Sequence, residues 1–324
     1  MGEAMHWAER IERRVKLRDL HILTAVAQSG SMGKAAAGLA VSQPAVSKAI
    51  ADLEYALGVR LLDRSRQGVE PTVYGRALLK WGVAAFDALR QGVKELEFLA
   101  DPAGGELRVG CTEPLAAAFV PAVVDHLCRR HPRAVFDVVP ANRVALLDRE
   151  LRQRRVDLIV TPTEGLNPGK DADVMPLFDD VHIVMAGAHS KWARRRNVAL
   201  DELAKESWVL PPPDSLAGIS IARAFRASGV EPPRAQIASF SVPLLCHLLA
   251  TGRYLTMCPV SLLHLARHMP LKALPVPSLR DHRPIGIFTL RNRTLSPLAQ
   301  IFIQQARATA ESLRGARRAA GGAP

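Results

Sequence analysis

Residues Ser31–Gly58 read SMGKAAAGLAVSQPAVSKAIADLEYALG, two helical patterns on either side of AVSQP. Ser31 is a good N-cap for the first, which runs through Leu39, and Ala35, Ala36 and Ala37 leave so little bulk that a neighbouring helix can approach closely. After Ala40 and Val41, Ser42 is placed to cap the second helix, with Pro44 in its first turn, where a missing N–H costs nothing. Val46, Ile50, Leu53 and Leu57 recur at i, i+4, i+7 and i+11 and form one buried stripe. Gln43, Ser47 and Lys48 are left facing outward.

Upstream, Leu17–Ser29 (LRDLHILTAVAQS) places Leu20, Leu23, Val26 and Ala27 three or four apart, and Gly30 ends that helix. Three short helices therefore share one core and expose a front made of Ser42, Gln43, Pro44 and Ser47. Such a front fits a DNA major groove: it offers hydrogen bonds to base edges and presents backbone N–H groups to phosphate. Gln43 suits bidentate pairing with adenine, and Lys34 and Lys48 suit phosphate. The next stretch, VRLLDRSRQGVEPTVYG, reads as a β-hairpin wing whose Arg64 and Arg66, beside Gly68, grip the backbone or minor groove. The bland alternative is an αα-hairpin with a solvated polar edge. Three helices plus a basic wing count against it.

Thr72 caps a long helix reaching about Leu99, with Leu78, Trp81, Ala85, Leu89, Val93, Leu96 and Leu99 at three- or four-residue spacing. At 1.5 Å per residue it spans about 40 Å, too long to pack only on a small domain, so pairing with a second copy is expected. Such a dimer sets two reading helices ~34 Å apart on an inverted-repeat site.

Composition limits the other classes. The 324 residues, 48% hydrophobic and 5% aromatic, suit a globular protein of two or three domains. The first 19 residues hold no apolar core, and no run approaches the roughly 18 apolar residues of a membrane span, so a cytoplasmic protein without membrane contact is expected. Cys111, Cys128, Cys246 and Cys258 make no C-x-x-C pair and read as free thiols, a redox pairing of Cys246 with Cys258 being the minor alternative. The formal charge is +12, but residues 1–100 carry 14 Lys+Arg against 11 Asp+Glu, and the rest 29 against 20. Most of the excess thus lies outside the segment expected to touch DNA.

Asp101–Gly105 (DPAGG) breaks the long helix and opens a new region. ELRVGC, a helix over Leu115–Arg130, AVFDVV, a helix over Val144–Arg154 and VDLIVT form a βαβαβ series with strands buried on both faces, hence a doubly wound α/β fold. DVHIVMAG begins a second series through SWVLPP, QIASF, YLTMCP and LKALPV. IGIFTL and a helix from Ser296 to about Arg314 return to the first lobe. Crossovers near Phe178–Val181 and Val276–Pro284 then enclose a hinged cleft. Ligands bind outside the carboxyl ends of strands in such sheets, which nominates Thr112, Glu113, Asn142, Arg143, Thr161, Asp214, Ser215, Ser239 and Ser241. Arg143 and hydroxyl-bearing helix starts favour a small organic anion. Glu113 repels one, so a sugar-like or other neutral ligand stays open, and capping is the commoner use of any single Ser or Thr.

Catalytic motifs are weak. S-x-x-K at Ser31–Lys34 and GISIA at Gly218–Ala222 lack a strand-turn-helix context, and His264 with His268 lacks a third metal ligand. There is no G-x-G-x-x-G or P-loop, so neither enzyme activity, cofactor nor metal is expected. KWARRRN (Lys191–Asn197) reads as a solvated loop.

The run from LHILTAVAQSG to EPTVYG resembles the amino-terminal domain of LysR-type transcriptional regulators, through S-x-x-x-A-A in the second helix, SQPAVSK opening the third, LE-x-x-LG-x-x-L closing it and T-x-x-G beginning the long helix. Leu62 departs, the family often having Phe there. GELRVGCTEPLAAAFVPAVVDHLCRRHP and LLDRELRQRRVDLIVTP look like the first lobe of the family's effector domains, which share the type 2 periplasmic-binding-protein fold. Val144 stands where some relatives use a hydroxyl. The resemblance implies an α/β protein with a winged helix-turn-helix over 15–72 (helix-turn-helix about 32–51), a linker helix over 73–100 and a two-lobed effector domain over 105–314, lobe I being 105–178 with 282–314 and lobe II 179–281. It supports Thr112, Thr161 and Pro211–Ser215 as ligand contacts. Double-stranded promoter DNA, a small-molecule effector, further copies in a homodimer or homotetramer and RNA polymerase are the partners it implies. The rival from another class, a solute-binding protein for transport, explains the two lobes and leaves the first hundred residues without a use.

Overall fold

A computed structural model describes residues 15–65, 68–265, 270–277 and 281–319. It divides into two compact units that meet in sequence at Arg90 and Gln91.

The first unit opens with α1 (Leu17–Ser29), α2 (Met32–Gly38) and α3 (Gln43–Leu57). Ile22, Leu23 and Val26 of α1, Met32, Ala35 and Ala36 of α2 and Val46, Ala49, Ile50, Leu53 and Leu57 of α3 form one buried cluster. Leu20 and Ala27, expected in that core, are only half-buried, because Ile22 takes the inner face. Ala40 adopts φ 54° in the α2–α3 turn, where Val41 N–H bonds to Ala36 O at 3.0 Å and closes the end of α2.

The hairpin follows as β1 (Leu62–Ser65) and β2 (Gly68–Pro71), antiparallel, with Arg64 opposite Val69. Three contacts fix it on the helices. Val69 N–H donates to Gly30 O at 2.9 Å, and a Cβ on Gly68 would stand only 2.8 Å from that oxygen. Glu54 Oε1 accepts from Leu61 N–H at 2.7 Å and Leu62 N–H at 3.2 Å, so the acid of α3 caps the start of the wing. Thr72 Oγ1 donates to Arg60 O at 2.8 Å and accepts from Gly75 N–H at 3.0 Å, which starts α4 (Val73–Ala100). The spacings LE-x-x-LG-x-x-L and T-x-x-G are thus the two sides of one junction. Arg66 lies outside the described residues.

The second unit is built on a nine-stranded mixed sheet of β3 (Gly104–Cys111), β4 (Arg133–Pro140), β5 (Leu158–Pro162), β6 (Ala172–Gly187), β7 (Ser207–Leu210), β8 (Ala235–Ala238), β9 (Tyr254–Pro259), β10 (Leu271–Ala273) and β11 (Asp281–Leu290). Its order is β4-β3-β5-β11-β6-β9-β7-β8, with β10 also on β6. β3, β4 and β5 are parallel in one lobe; β7, β8 and β9 are parallel in the other. The long antiparallel pair β6–β11 passes through both, with Val181 opposite His282 and Asp180 opposite Arg283 at the crossover.

The α5 (Glu113–Ala117) and α6 (Phe119–Arg130) segments, α7 (Arg143–Ala145) with a π-helical turn over Leu146–Leu151, and α12 (Pro297–Ala319) belong to the first lobe; α8 (Leu200–Leu203), α9 (Leu216–Ala227), α10 (Val242–Ala250) and α11 (Val260–Leu265) belong to the second. Separate cores surround Phe119, Phe178 and Phe302 and Trp208 and Phe225.

Three expectations change in detail. The single helix over Leu115–Arg130 is two, broken at Ala118, because Pro121 has no N–H for Ala117 O and its ring crowds that carbonyl. β6 begins at Ala172, eight residues before DVHIVMAG. Pro176 interrupts the apolar pattern there and is accommodated at a register shift between Ile285 and Gly286. β4 is an edge strand with Val135 60% exposed, so it is not buried on both faces.

At the start of this unit, Asp157 gathers the last turns of α4 onto the sheet. Its carboxylate accepts from Gln91 Nε2 at 3.4 Å, Lys94 Nζ at 3.1 Å, Arg108 N–H at 2.9 Å and Arg293 at 2.8 Å. The four cysteines are free; Cys111, Cys246 and Cys258 are buried and Cys128 is exposed. Burial pushes the Cys111 thiol up to about 12 and raises those of Cys246 and Cys258, which makes them poor nucleophiles. Among the described residues no helix is long and apolar enough to cross a membrane.

Two substitutions test these joints. A Cβ at Gly75 would meet Leu61 O at 2.0 Å, so Gly75→Ala is expected to lower stability by about 1–3 kcal/mol in urea unfolding although alanine is the better helix former. Asp157→Ala leaves Arg293, 4% exposed, without its acid and is expected to cost about 3–5 kcal/mol. Wild-type unfolding midpoints in the two variants would contradict the two assignments respectively.

Candidate functional site

Two places collect the residues singled out by sequence, one in each unit. In the first unit they sit at the start of α3. Ser42 Oγ accepts from Ala45 N–H at 3.4 Å and caps the helix. Gln43, Pro44 and Lys48 are exposed and Ser47 is half-buried, while Val46, Ala49 and Ile50 between them are buried. The helix therefore rests on its apolar face and offers its polar amino-terminal turns outward. Lys34 on α2 is exposed, and its neighbour Gly33 lies beside Gln43, whose Oε1 would be 3.6 Å from a Cβ there. Arg64 on β1 is exposed as well.

In the second unit a cavity of about 850 Å³ lies between the two lobes. Thr112, Glu113, Asn142, Arg143, Asp214, Ser215, Ser239 and Ser241 all line it. Most of these polar groups are engaged by the backbone. Asn142 Oδ1 accepts from Ala145 N–H at 2.9 Å, Ser215 Oγ from Gly218 N–H at 3.0 Å, Ser241 Oγ from Leu244 N–H at 3.4 Å and Ser239 Oγ from Ser241 N–H at 3.1 Å. Thr112 precedes α5 and makes no such cap bond. Thr161 is not brought to the cavity. It is fully buried on β5 opposite Gly286, and its hydroxyl has no hydrogen-bond partner; the following residue, Pro162, reaches the wall, as alternation along a strand requires.

The charged part of the wall is Arg143 with Arg283. Both are buried, at 7% and 3% exposure. Arg143 donates to Glu164 O at 2.6 Å. The Glu164 carboxylate bonds Arg283 of β11 and, at 2.6 Å, Arg223 of α9, so one acid from the loop after β5 joins the hinge strand to the second lobe. Burial, and then the positive charge of Arg283, push the Arg143 pKa down from its usual value, with Glu164 opposing; a guanidinium starts so high that it stays charged. Asp180, fully buried opposite Arg283, accepts from Ser261 Oγ and from Val181 N–H at 2.9 Å.

Sequence reading missed Arg283, Asp180 and Glu164. The first two carried a weak signal, Asp180 standing at the head of DVHIVMAG and Arg283 two residues before IGIFTL, since a charge buried in a strand requires a partner. Glu164 stands in a turn and carried none. The GISIA stretch is the first part of α9, not a turn between strand and helix. His268 lies outside the described residues, and among those described no cluster of His, Cys, Asp and Glu is arranged to hold a metal. In KWARRRN, Trp192 is buried, while Lys191 and Arg195 lie over its ring and pair with Glu206 and Glu202.

Comparison with known proteins agrees with this division. Residues 17–76 match the model of the bacterial regulatory helix-turn-helix protein, lysR family, and residues 100–311 that of the LysR substrate binding domain. The chain is 28% identical over 304 residues to the HTH-type transcriptional regulator GbpR of Azospirillum brasilense, covering 93% of this chain and 89% of that protein. In fold it is similar to ArgP from Mycobacterium tuberculosis, with a TM-score of 0.67 at 20% identity over 90% of this chain and 96% of the other. It is also similar to full-length CbnR complexed with its target DNA, with a TM-score of 0.53 at 21% identity over 91% and 100%. With family models matched over residues 17–76 and 100–311, well over half of its length, the chain belongs to the LysR family of transcriptional regulators.

Proposed function

We propose that this regulator reads promoter DNA in a sequence-specific way through the front of α3 and responds to a small organic anion held between the lobes of its second unit. The observation that carries the effector reading is Arg143. It is a buried guanidinium on the wall of the cavity whose hydrogen bond goes to a backbone carbonyl, Glu164 O, and a buried charge of this kind favours an anionic partner. Thr112, Glu113, Asp214, Ser215 and Ser239 complete the contact set, and Thr161 is set aside because it is sealed inside the sheet.

For DNA, Gln43, Pro44 and Ser47 read base edges, Ser42, Lys34 and Lys48 contact phosphate, and Arg64 and Arg66 of the wing grip the flanking backbone. The exposure of the α3 front and the capped amino terminus of that helix support this assignment. The domain boundaries follow: 15–72 for the DNA-binding part, 73–100 for the linker and 105–314 for the effector part. Trp81, Leu89, Val93, Leu96 and Leu99 are exposed along α4. That stripe supports pairing with a second copy, as a dimer or within a tetramer. A cytoplasmic location, with promoter DNA and RNA polymerase at hand, accords with this role. The transport reading is not favoured, because it leaves α3 and its wing unexplained.

Gel retardation on the protein's own upstream DNA and on random DNA tests the first part. Gln43→Ala should lose about 1–3 kcal/mol on the specific site and little on random sequence, whereas Lys34→Ala should weaken both alike and flatten the salt dependence. Equal losses for Gln43→Ala on both would remove it from base reading. For the cleft, Thr112→Val is expected to abolish the ligand-induced thermal shift found in an organic-acid screen while DNA affinity stays at the wild-type level. An unchanged shift would take Thr112 out of the site.

A further inference from the structure

We infer that the effector is a monocarboxylate carrying an apolar body, rather than a sugar acid or a dicarboxylate. This inference rests on the anion reading above and narrows it by counting the charges and hydrogen-bonding groups on the cavity wall.

The charge count limits the ligand to one carboxylate. Arg283 is matched by the Glu164 carboxylate and lies opposite Asp180 in the β6–β11 register. Arg143 forms no ion pair among the described residues: its hydrogen bond goes to Glu164 O, and the Glu164 carboxylate, which bonds Arg283 and Arg223, offsets it only in part. It is one positive charge, mostly removed from water, and one negative charge completes it. A second carboxylate on the ligand would meet half-buried Glu113 and exposed Asp214, both on the same wall, with no second unpaired guanidinium among the described residues there to offset them.

The hydrogen-bond inventory argues against a polyol. Ser215 both donates to Pro212 O at 2.6 Å and accepts from Gly218 N–H. Thr256 donates to Val209 O at 2.7 Å from a nearly closed position. Asn142, Ser239 and Ser241 each serve a backbone N–H as well. A ring of hydroxyls entering this space would have to replace each hydrogen bond to water with Thr112, Glu113, Asp214 or the remaining donors of Asn142, Ser239 and Ser241, at about 1–3 kcal/mol for each group left unmatched. Apart from Asp180, His182 and Arg283 at the crossover, most of the remaining wall is apolar, with Pro211, Leu216, Phe240, Leu245, Met257 and Ile285 among it. Their burial against a hydrocarbon or aromatic body supplies the affinity that polar contacts here do not. At about 850 Å³ the space also exceeds what a bare two- or three-carbon acid fills, and leaving it wet would forfeit that burial.

Four probes of matched size separate the possibilities by isothermal titration calorimetry on the full chain: 3-phenylpropionate, its neutral twin 3-phenylpropan-1-ol, the dicarboxylate 4-(2-carboxyethyl)benzoate, and gluconate. The monocarboxylate should bind at least about tenfold more tightly than each of the other three. Arg143→Gln should bring 3-phenylpropionate down to the level of the alcohol. Arg143→Lys, which keeps the charge and loses the fork, should retain a reduced preference for acid over alcohol and serves if the glutamine variant does not fold. Gluconate or the dicarboxylate binding as tightly as 3-phenylpropionate would overturn the ligand class and leave the anion reading standing. Equal binding of acid and alcohol by the wild-type chain would overturn the anion reading and the class with it. Binding by none of the four would overturn the class.

Discussion

β6 and β11 lie side by side and antiparallel for ten residues of β11, from Asp281 opposite His182 to Leu290 opposite Ala172. Because each strand belongs to both lobes, this ladder is at once the floor of the cleft and its hinge. Two lobes joined by flexible linkers would place no residue of one at a defined distance from the other. Two lobes sharing a pair of hydrogen-bonded strands can only twist or bend about it, and the register shift between Ile285 and Gly286 marks a place where the ladder is already loosened. The buried charges stand beside that place. Arg283 faces Asp180 there, and Glu164 reaches from the first lobe to Arg283 and to Arg223 of the second. Arg143, which donates to Glu164 O, borders the same group of charges.

The same economy governs the polar groups of both units. Helix starts consume them: Ser31, Ser42, Asn142, Ser215 and Ser241 each accept from a backbone N–H of the helix they begin. An uncapped amino terminus exposes several unsatisfied donors, so a short helix spends its first hydroxyl on itself. Side chains without a capping task include Gln43 and Lys48 at the front of α3 and Thr112, Glu113 and Asp214 on the cavity wall. Glu54 shows how far such use extends. It reads on paper as an acid at the solvent end of α3, yet it holds the first two N–H groups of the wing.

Much of the fold could be read from the chain because its information is local. Helix periodicity, Ser31 and Ser42 as caps, Gly30 as a stop, and Thr72 before α4 each depend on a few neighbours, and the structure has Gly30 in the left-handed region. The two-lobed plan was legible from the alternation of strands and helices. Positions set by distant partners were not. Leu20 against Ile22 differs by two residues on one helix, and only the packing of α1 on α3 decides between them. Pro121 breaks a pattern that apolar spacing alone carries through. In the cleft, Thr112 and Arg143 follow from strand ends, whereas Thr161 fails because one step along β5 turns a side chain from the cavity into the sheet. Arg283 and Glu164 lie 119 residues apart, and no spacing rule connects them.

The chain's excess of basic residues has a related explanation. In the second unit arginines are matched to acids again and again: Arg108 with Glu106, Arg133 with Asp101, Arg152 with Asp148 and Asp171, Arg291 with Asp173, Arg293 with Asp157. Most of these pairs are exposed and add little stability, and because each acid offsets a base, the net +12 is carried by other residues. The front of α3 is correspondingly modest in charge, with Lys34 and Lys48 flanking Ser42, Gln43 and Ser47. A surface of that kind gains less from long-range attraction than from short hydrogen bonds with defined geometry, and it is such bonds that tell one base pair from another. A nearly neutral tip on α3 and a buried charge at Arg143 are thus opposite solutions on one chain, the first suited to short directional hydrogen bonds and the second to a charged partner.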